Sequence, residues 1–123
     1  VTELRRLQII FTRLLPRLID HGFVIGLLLI GREWWRTDQQ AAWNAEHGIG
    51  IKLSLHRDGL AVDLVIIHPD GSPATDSAEY LALGVFWESL SGADAEGAWQ
   101  CCWGGRFKKP DGGHFSLSYQ GRR

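Results

Sequence analysis

Leu4, Leu7, Phe11, Leu14 and Leu18 recur three or four positions apart, with Arg5, Arg6, Arg13 and Arg17 between them. That period predicts an amphipathic helix with one apolar face. Pro16 should kink or restart it. His21-Gly22 should stop it, because glycine takes a left-handed cap and histidine favours the negative helix end. The apolar run 23–30 is too short to cross a bilayer and reads as a buried strand. Thr37 and Gln40 have the spacing of a capping box, so a second helix is expected from 37 to a stop at His47-Gly48. Residues 60–67 are mostly aliphatic and β-branched and precede Pro69-Asp70-Gly71, which predicts a strand ending in a turn. Asp76 and Glu79 open a third helix to about Leu90, closed by Gly92. In the last segment Phe115, Leu117 and Tyr119 alternate with His114, Ser116 and Ser118, the pattern of a strand with two unlike faces. Helices set against a small antiparallel sheet make the fold class α+β, with about three helices.

Length and composition narrow the picture only a little. At 123 residues the chain is expected to be one domain, 1–123, able to bury a core without staples. With 13 Lys and Arg against 14 Asp and Glu the net charge is -1, which argues against a nucleic-acid partner. No stretch is long enough for membrane insertion, and a monomer is expected. Cys101 and Cys102 are adjacent; a disulfide between them would close a strained ring with little loop-closure gain. Two reduced, half-buried thiols suit synthesis in a reducing cytosol, and no export signal is visible.

The chemistry-bearing residues gather in two segments. Ser54-Leu-His56-Arg-Asp-Gly59-Leu-Ala61-Val-Asp63 holds one histidine and the single charged residue of the 60–67 strand. A carboxylate in such a strand costs free energy unless it is paired, hydrogen-bonded or bound to a metal. Ala61 shares its face and leaves room for an ion, and Gly59 lets His56 fold back toward it. The second segment, Asp111-Gly112-Gly113-His114, puts a third candidate ligand on the polar side of the last strand. His56, Asp63 and His114 would hold one metal and leave a position for water, the donor pattern of catalytic rather than structural zinc. Asp111 would then move the protons, although Pro110-Asp111-Gly112-Gly113 is also ordinary turn chemistry. The plain alternative is Asp63 paired with Arg36 and two unrelated histidines. His21 and His47 are accounted for by helix ends. His68 is accounted for by the turn before Pro69, and would be the substitute ligand.

Residues 54–63 match, position by position, the Ser-x-His-x-x-Gly-x-Ala-x-Asp signature of the zinc D,D-peptidase (VanY-like) family. The chain resembles that family, most closely its phage L-alanyl-D-glutamate endopeptidase branch, over roughly residues 30 to 119. The resemblance implies a hedgehog/D,D-peptidase-like fold with a single Zn2+ site at His56, Asp63 and His114. It implies Asp111 as general base and then general acid. The VanY-type members carry Glu there with an aromatic before the histidine; Asp111 and Gly113 agree better with the phage enzymes. Trp35-Arg36-Thr37 parallels a family Tyr-Arg-Ser/Thr element, implying that Arg36 stabilises the oxyanion or binds a substrate carboxylate. By the same parallel Ser54 would touch substrate; the other reading is a cap on its own loop.

The implied activity is zinc-dependent hydrolysis of a peptidoglycan stem-peptide amide, first L-Ala–D-Glu and second D-Ala–D-Ala. The implied setting is the host cytoplasm before release to the wall, or a virion. Trp34, Trp99, Trp103 and Phe107 are candidate cleft walls. A serine hydrolase is disfavoured by the lack of a Gly-x-Ser-x-Gly elbow, and a cysteine peptidase by thiols away from any helix start. A non-catalytic zinc-binding module of the same fold remains the other class of reading.

Overall fold

A computed structural model describes residues 1–35, Trp43, Glu46 and 54–123. Helix α1 runs over Glu3–Val24, with the Thr2 side chain accepting from Arg5 N at its start. Strand β1 is Leu28–Glu33 and strand β2 Ala61–Ile67. A 3-10 turn at Ser77–Tyr80, capped by Asp76, leads into helix α2, Leu81–Ser89. A small hairpin follows, β3 (Gly92–Asp94) with β4 (Gly97–Trp99). The chain ends through β5 (Cys101–Trp103), a 3-10 turn at Gly104–Arg106 and β6 (His114–Leu117). The main sheet is antiparallel in the order β1-β2-β6-β5, so the fold is α+β. Two α-helices are bounded among the described residues, with 3-10 turns; of the helix expected from 37 to 47, Trp43 and Glu46 are described and both are helical, and the rest lies outside the described residues.

The two faces of the sheet do different work. Val62, Leu64, Ile66, Phe115 and Leu117 are buried on the helix side with Leu7, Phe11, Leu18 and Trp87. Phe11 packs edge-on to Trp87 at 5.7 Å, and Trp87 edge-on to Phe115 at 6.4 Å. Successive strand residues point to opposite faces, so Asp63, His114 and Ser116 lie on the other side, as the alternation predicted. That polar face is not solvated at β6: all four of its residues are buried.

Three expectations about the first thirty residues are corrected. Helix α1 is unbroken through Pro16 and passes His21-Gly22 to end at Val24, with Gly26 at φ +90° just beyond. Pro16 sits on the exposed face, while Leu14, Leu15 and Leu18 around it are buried in one core; tertiary packing on both sides holds the helix through the missing bond. Gly22 stays helical because it is a point of close approach, where a Cβ would meet the Leu29 side chain. The run 23–30 is not a buried strand. It is split between helix, turn and a strand whose Leu28 and Ile30 are each 53% exposed; among the described residues β1 has a partner on one side alone and is an edge strand. Arg6 of α1 is buried: it donates to Asp94 at 2.9 Å and to the Gly97 carbonyl at 2.7 Å, tying the helix to the β3–β4 hairpin.

Candidate metal centre

Strand register assembles the site. Asp63 lies opposite Glu33 on β1 and opposite His114 on β6. Residues directly opposite in an antiparallel pair share a face with their Cβ atoms about 4.5–5.5 Å apart, so Glu33, Asp63 and His114 form one row across three strands. His56 reaches the row from the turn before β2. That turn is closed by Leu60 N donating to the Leu55 carbonyl and Gly59 N to the His56 carbonyl. Gly59 takes φ +67° there, a conformation side chains resist. The Gln8 side chain donates to the Asp58 carbonyl, and Arg122 pairs with the Asp58 carboxylate at 2.7 Å. Ser54 Oγ accepts from His56 N at 3.2 Å, the loop-capping role that its position allowed.

His56 Nε2 is 3.3 Å from one oxygen of Asp63, and His114 Nδ1 is 3.7 Å from the other. The two imidazoles meet edge to face at 5.5 Å. One donor atom from each of the three residues lies within 4.8 Å of the others, and both histidines are buried. Tetrahedral coordination at about 2.0–2.1 Å separates ligand atoms by roughly 3.3 Å, so these spacings suit a shared cation. The tautomer agrees. His56 Nδ1 is 3.0 Å from the Trp34 carbonyl, and because a carbonyl can only accept, Nδ1 carries the hydrogen. A neutral His56 would then turn the bare lone pair of Nε2 onto the Asp63 carboxylate. That contact needs a proton or a metal ion between its atoms. Burial disfavours a charged His56, yet the hydrogen bond and charge of Asp63 raise its pKa above the ordinary value. Burial likewise opposes ionisation of Asp63, but the imidazoles of His114 and His56 hold its carboxyl well below the usual range. The pocket favours positive charge and can bind a metal.

Asp111 stands apart from this group, exposed on a turn whose backbone is held on every side. Asp111 N donates to the Gly104 carbonyl at 2.9 Å, and the Asp111 carbonyl accepts from His114 N. Gly112 N donates to Ser77 Oγ at 2.9 Å, its carbonyl accepts from Trp103 Nε1 at 2.8 Å, and the Gly113 carbonyl accepts from Leu64 N. Gly104 allows the close approach: a Cβ there would strike the Asp111 carbonyl and the His114 Cβ. Asp111 and Asp63 line the same cleft, of about 550 Å³, together with Glu33, Arg32, Ser77 and Tyr80.

Arg36 lies outside the described residues. His68 does not join the site; it bonds Glu79 at 2.6 Å and Ser72 at 3.0 Å on the surface. His21 stacks on Phe86. Trp103 and Trp99 are core-packed rather than cleft walls, with Trp103 buried and Trp99 donating to the Leu90 carbonyl. Phe107 does approach, its ring 5.3 Å from that of His114. Trp34 contributes its carbonyl, and its ring packs 6.0 Å from Phe11. Cys101 and Cys102 are buried; burial pushes the Cys101 thiol up to about 12 and raises Cys102 too, which disfavours a thiolate nucleophile. Glu33 and Arg32 escaped the sequence reading, because nothing in residue type marks the register that brings them to the cleft.

No protein-family model and no curated protein sequence matches the chain. A solved structure does: that of the Serratia marcescens L-Ala D-Glu endopeptidase ChiX, with a TM-score of 0.57 and 24% identity, over 76% of this chain and 69% of that one. The chain shares the fold of that endopeptidase and carries a His-Asp-His candidate metal site within it.

Proposed function

We propose that the protein is a zinc-dependent peptidase of peptidoglycan, hydrolysing a stem-peptide amide, in the first place L-Ala–D-Glu. The observation that carries this reading is the buried His56–Asp63–His114 group opening beside a cleft that Asp111 also lines. Likeness in fold to an L-Ala D-Glu endopeptidase supports it. His56, Asp63 and His114 would hold the ion. Zinc so bound lowers the pKa of a water from about 15.7 to about 7 and polarises a carbonyl. Asp111 then has one task in each direction: a carboxylate oxygen takes the proton of the attacking water and returns it to the leaving amine as the C–N bond breaks. Such help contributes on the order of 10²–10⁴-fold. Five hydrogen bonds to the backbone of the Asp111 turn hold its main chain beside the cleft, which lowers the cost of ordering the carboxylate there. Arg36 is retained as the group sharing the negative charge of the tetrahedral intermediate, and a phage lysin is the setting that the motif resemblance favours.

Digestion of purified sacculi with zinc-loaded protein, followed by mass spectrometry of the muropeptides, tests the reading. New fragments ending in L-Ala and beginning with D-Glu are expected, and Asp111→Asn should keep the zinc while abolishing most of the cleavage. Loss of terminal D-Ala instead would move the scissile bond to the carboxypeptidase position. Intact muropeptides after treatment with folded, zinc-loaded protein would overturn the peptidase and leave a zinc-binding module.

A further inference from the structure

The cleft beside Asp63 is lined by three carboxylates, those of Glu33, Asp63 and Asp111, and among its described lining residues by one cation, Arg32. Its place there results from a break in the β-ladder. Gly31 pairs with Leu64, but the next pair is Glu33 with Asp63, so Arg32 is an extra residue. In unbroken register Arg32 would sit opposite Asp63 and Glu33 would turn to the other face. The bulge instead sets Glu33 into the Asp63–His114 row and swings Arg32 to the mouth of the cleft, as bulges beside active sites re-aim side chains. Arg32 is exposed, and among the described residues no carboxylate or carbonyl holds it.

A guanidinium at the rim of an acidic cleft, with no partner among the described residues, is a receptor for a carboxylate, which its planar fork matches with two hydrogen bonds. Resting on the peptidase reading, we infer that Arg32 binds the free α-carboxylate of the residue that supplies the leaving amine, and so selects the substrate. In an ordinary peptide that carboxyl is consumed in the next amide bond. In D-Glu linked onward through its side-chain carbonyl it remains free, one carbon from the scissile nitrogen. The same holds for a C-terminal D-Ala. The cleft would therefore pass over normal proteins and accept peptides with a carboxylate at that position.

The test uses two synthetic peptides, L-Ala-γ-D-Glu-L-Lys-D-Ala and its analogue with the D-Glu α-carboxylate made a carboxamide. The zinc-loaded chain should favour the carboxylate peptide by about ten- to a hundred-fold in kcat/KM, the scale of a charge-assisted hydrogen-bond pair. Arg32→Ala should lose that preference by falling much further on the carboxylate peptide than on the carboxamide, with unchanged zinc content. Arg32→Lys should restore part of it. Equal rates for wild type and Arg32→Ala on the carboxylate peptide, or equal losses on both peptides, would overturn the inference while leaving the peptidase intact. If the zinc-loaded wild type cleaves neither peptide, the peptidase reading falls on its own. Calorimetric binding of the two peptides then decides the role of Arg32: a carboxylate preference abolished in Arg32→Ala supports it, and its absence overturns it.

Discussion

The backbone carbonyl of Trp34 fixes the ring of His56: it accepts from Nδ1 across 3.0 Å and so turns Nε2 toward Asp63. The carbonyl belongs to the segment that follows edge strand β1, and the Trp34 ring packs near Phe11 of α1. The orientation of one candidate ligand is thus coupled to the helix–sheet core rather than to the loop that bears it. Outer partners of this kind set the tautomer and basicity of a metal-binding histidine.

Metal binding should be stoichiometric and stabilising. One zinc per chain is expected by elemental analysis after dialysis, with His56→Ala, Asp63→Asn and His114→Ala each losing it. At a free zinc concentration a hundredfold above Kd the fold should gain about 2.7 kcal/mol, read as a rise in Tm that a chelator reverses. A Tm indifferent to zinc would contradict the site.

The pH dependence has opposite signs with and without metal. Without metal, His56 has a raised pKa, so its contribution to stability is complete below about pH 6.5 and fades as pH rises through the raised value. Asp63 has a depressed pKa, so its contribution is complete above about pH 3.9 and is lost as pH falls through the depressed value. The metal-free protein should be most stable between these limits, in mild acid. Zinc must displace the His56 proton, so its affinity should rise with pH over the range where metal-free stability declines. Calorimetric titration at about pH 6 and pH 8 checks this; equal affinities would show that His56 does not compete with the metal for a proton.

Trp103→Phe should weaken activity without touching a ligand. It removes the donor to the Gly112 carbonyl, and an unpaired buried carbonyl costs about 1–3 kcal/mol. The expected outcome is a lower midpoint in urea, normal zinc content and a reduced kcat as Asp111 loses its fixed position. An unchanged kcat would detach that hydrogen bond from function.

Gly59→Ala probes the turn under His56. The residue sits at φ +67°, and a Cβ would come to 3.0 Å from the Trp35 ring. A left-handed non-glycine costs roughly 1–2 kcal/mol. Lower stability and weaker zinc binding together are expected, both measurable by thermal shift. Loss of stability with full zinc affinity would mean that the turn can relax without moving His56.

Residue type and spacing determined a good deal. The apolar period of α1, the β-branched run of β2 and the alternation in β6 specify elements because burial of one face is encoded locally. His56, Asp63 and His114 could be singled out because a lone acid in a strand and histidines beside glycine-rich turns are chemically conspicuous in a string of letters. Tertiary structure decided the rest. Whether Pro16 breaks α1 depended on packing around both of its flanks. Whether residues 23–30 are buried depended on β1 being an edge strand. Burial of Arg6 depended on the β3–β4 hairpin, which supplies its partners Asp94 and Gly97. The Trp34 carbonyl, common to every residue type, leaves no trace in a sequence, and the bulge that carries Arg32 and Glu33 to the cleft is a property of pairing between strands. Local sequence records which side chains are present; which of them meet is set by register and by long-range burial, to which residues far apart in the chain contribute jointly.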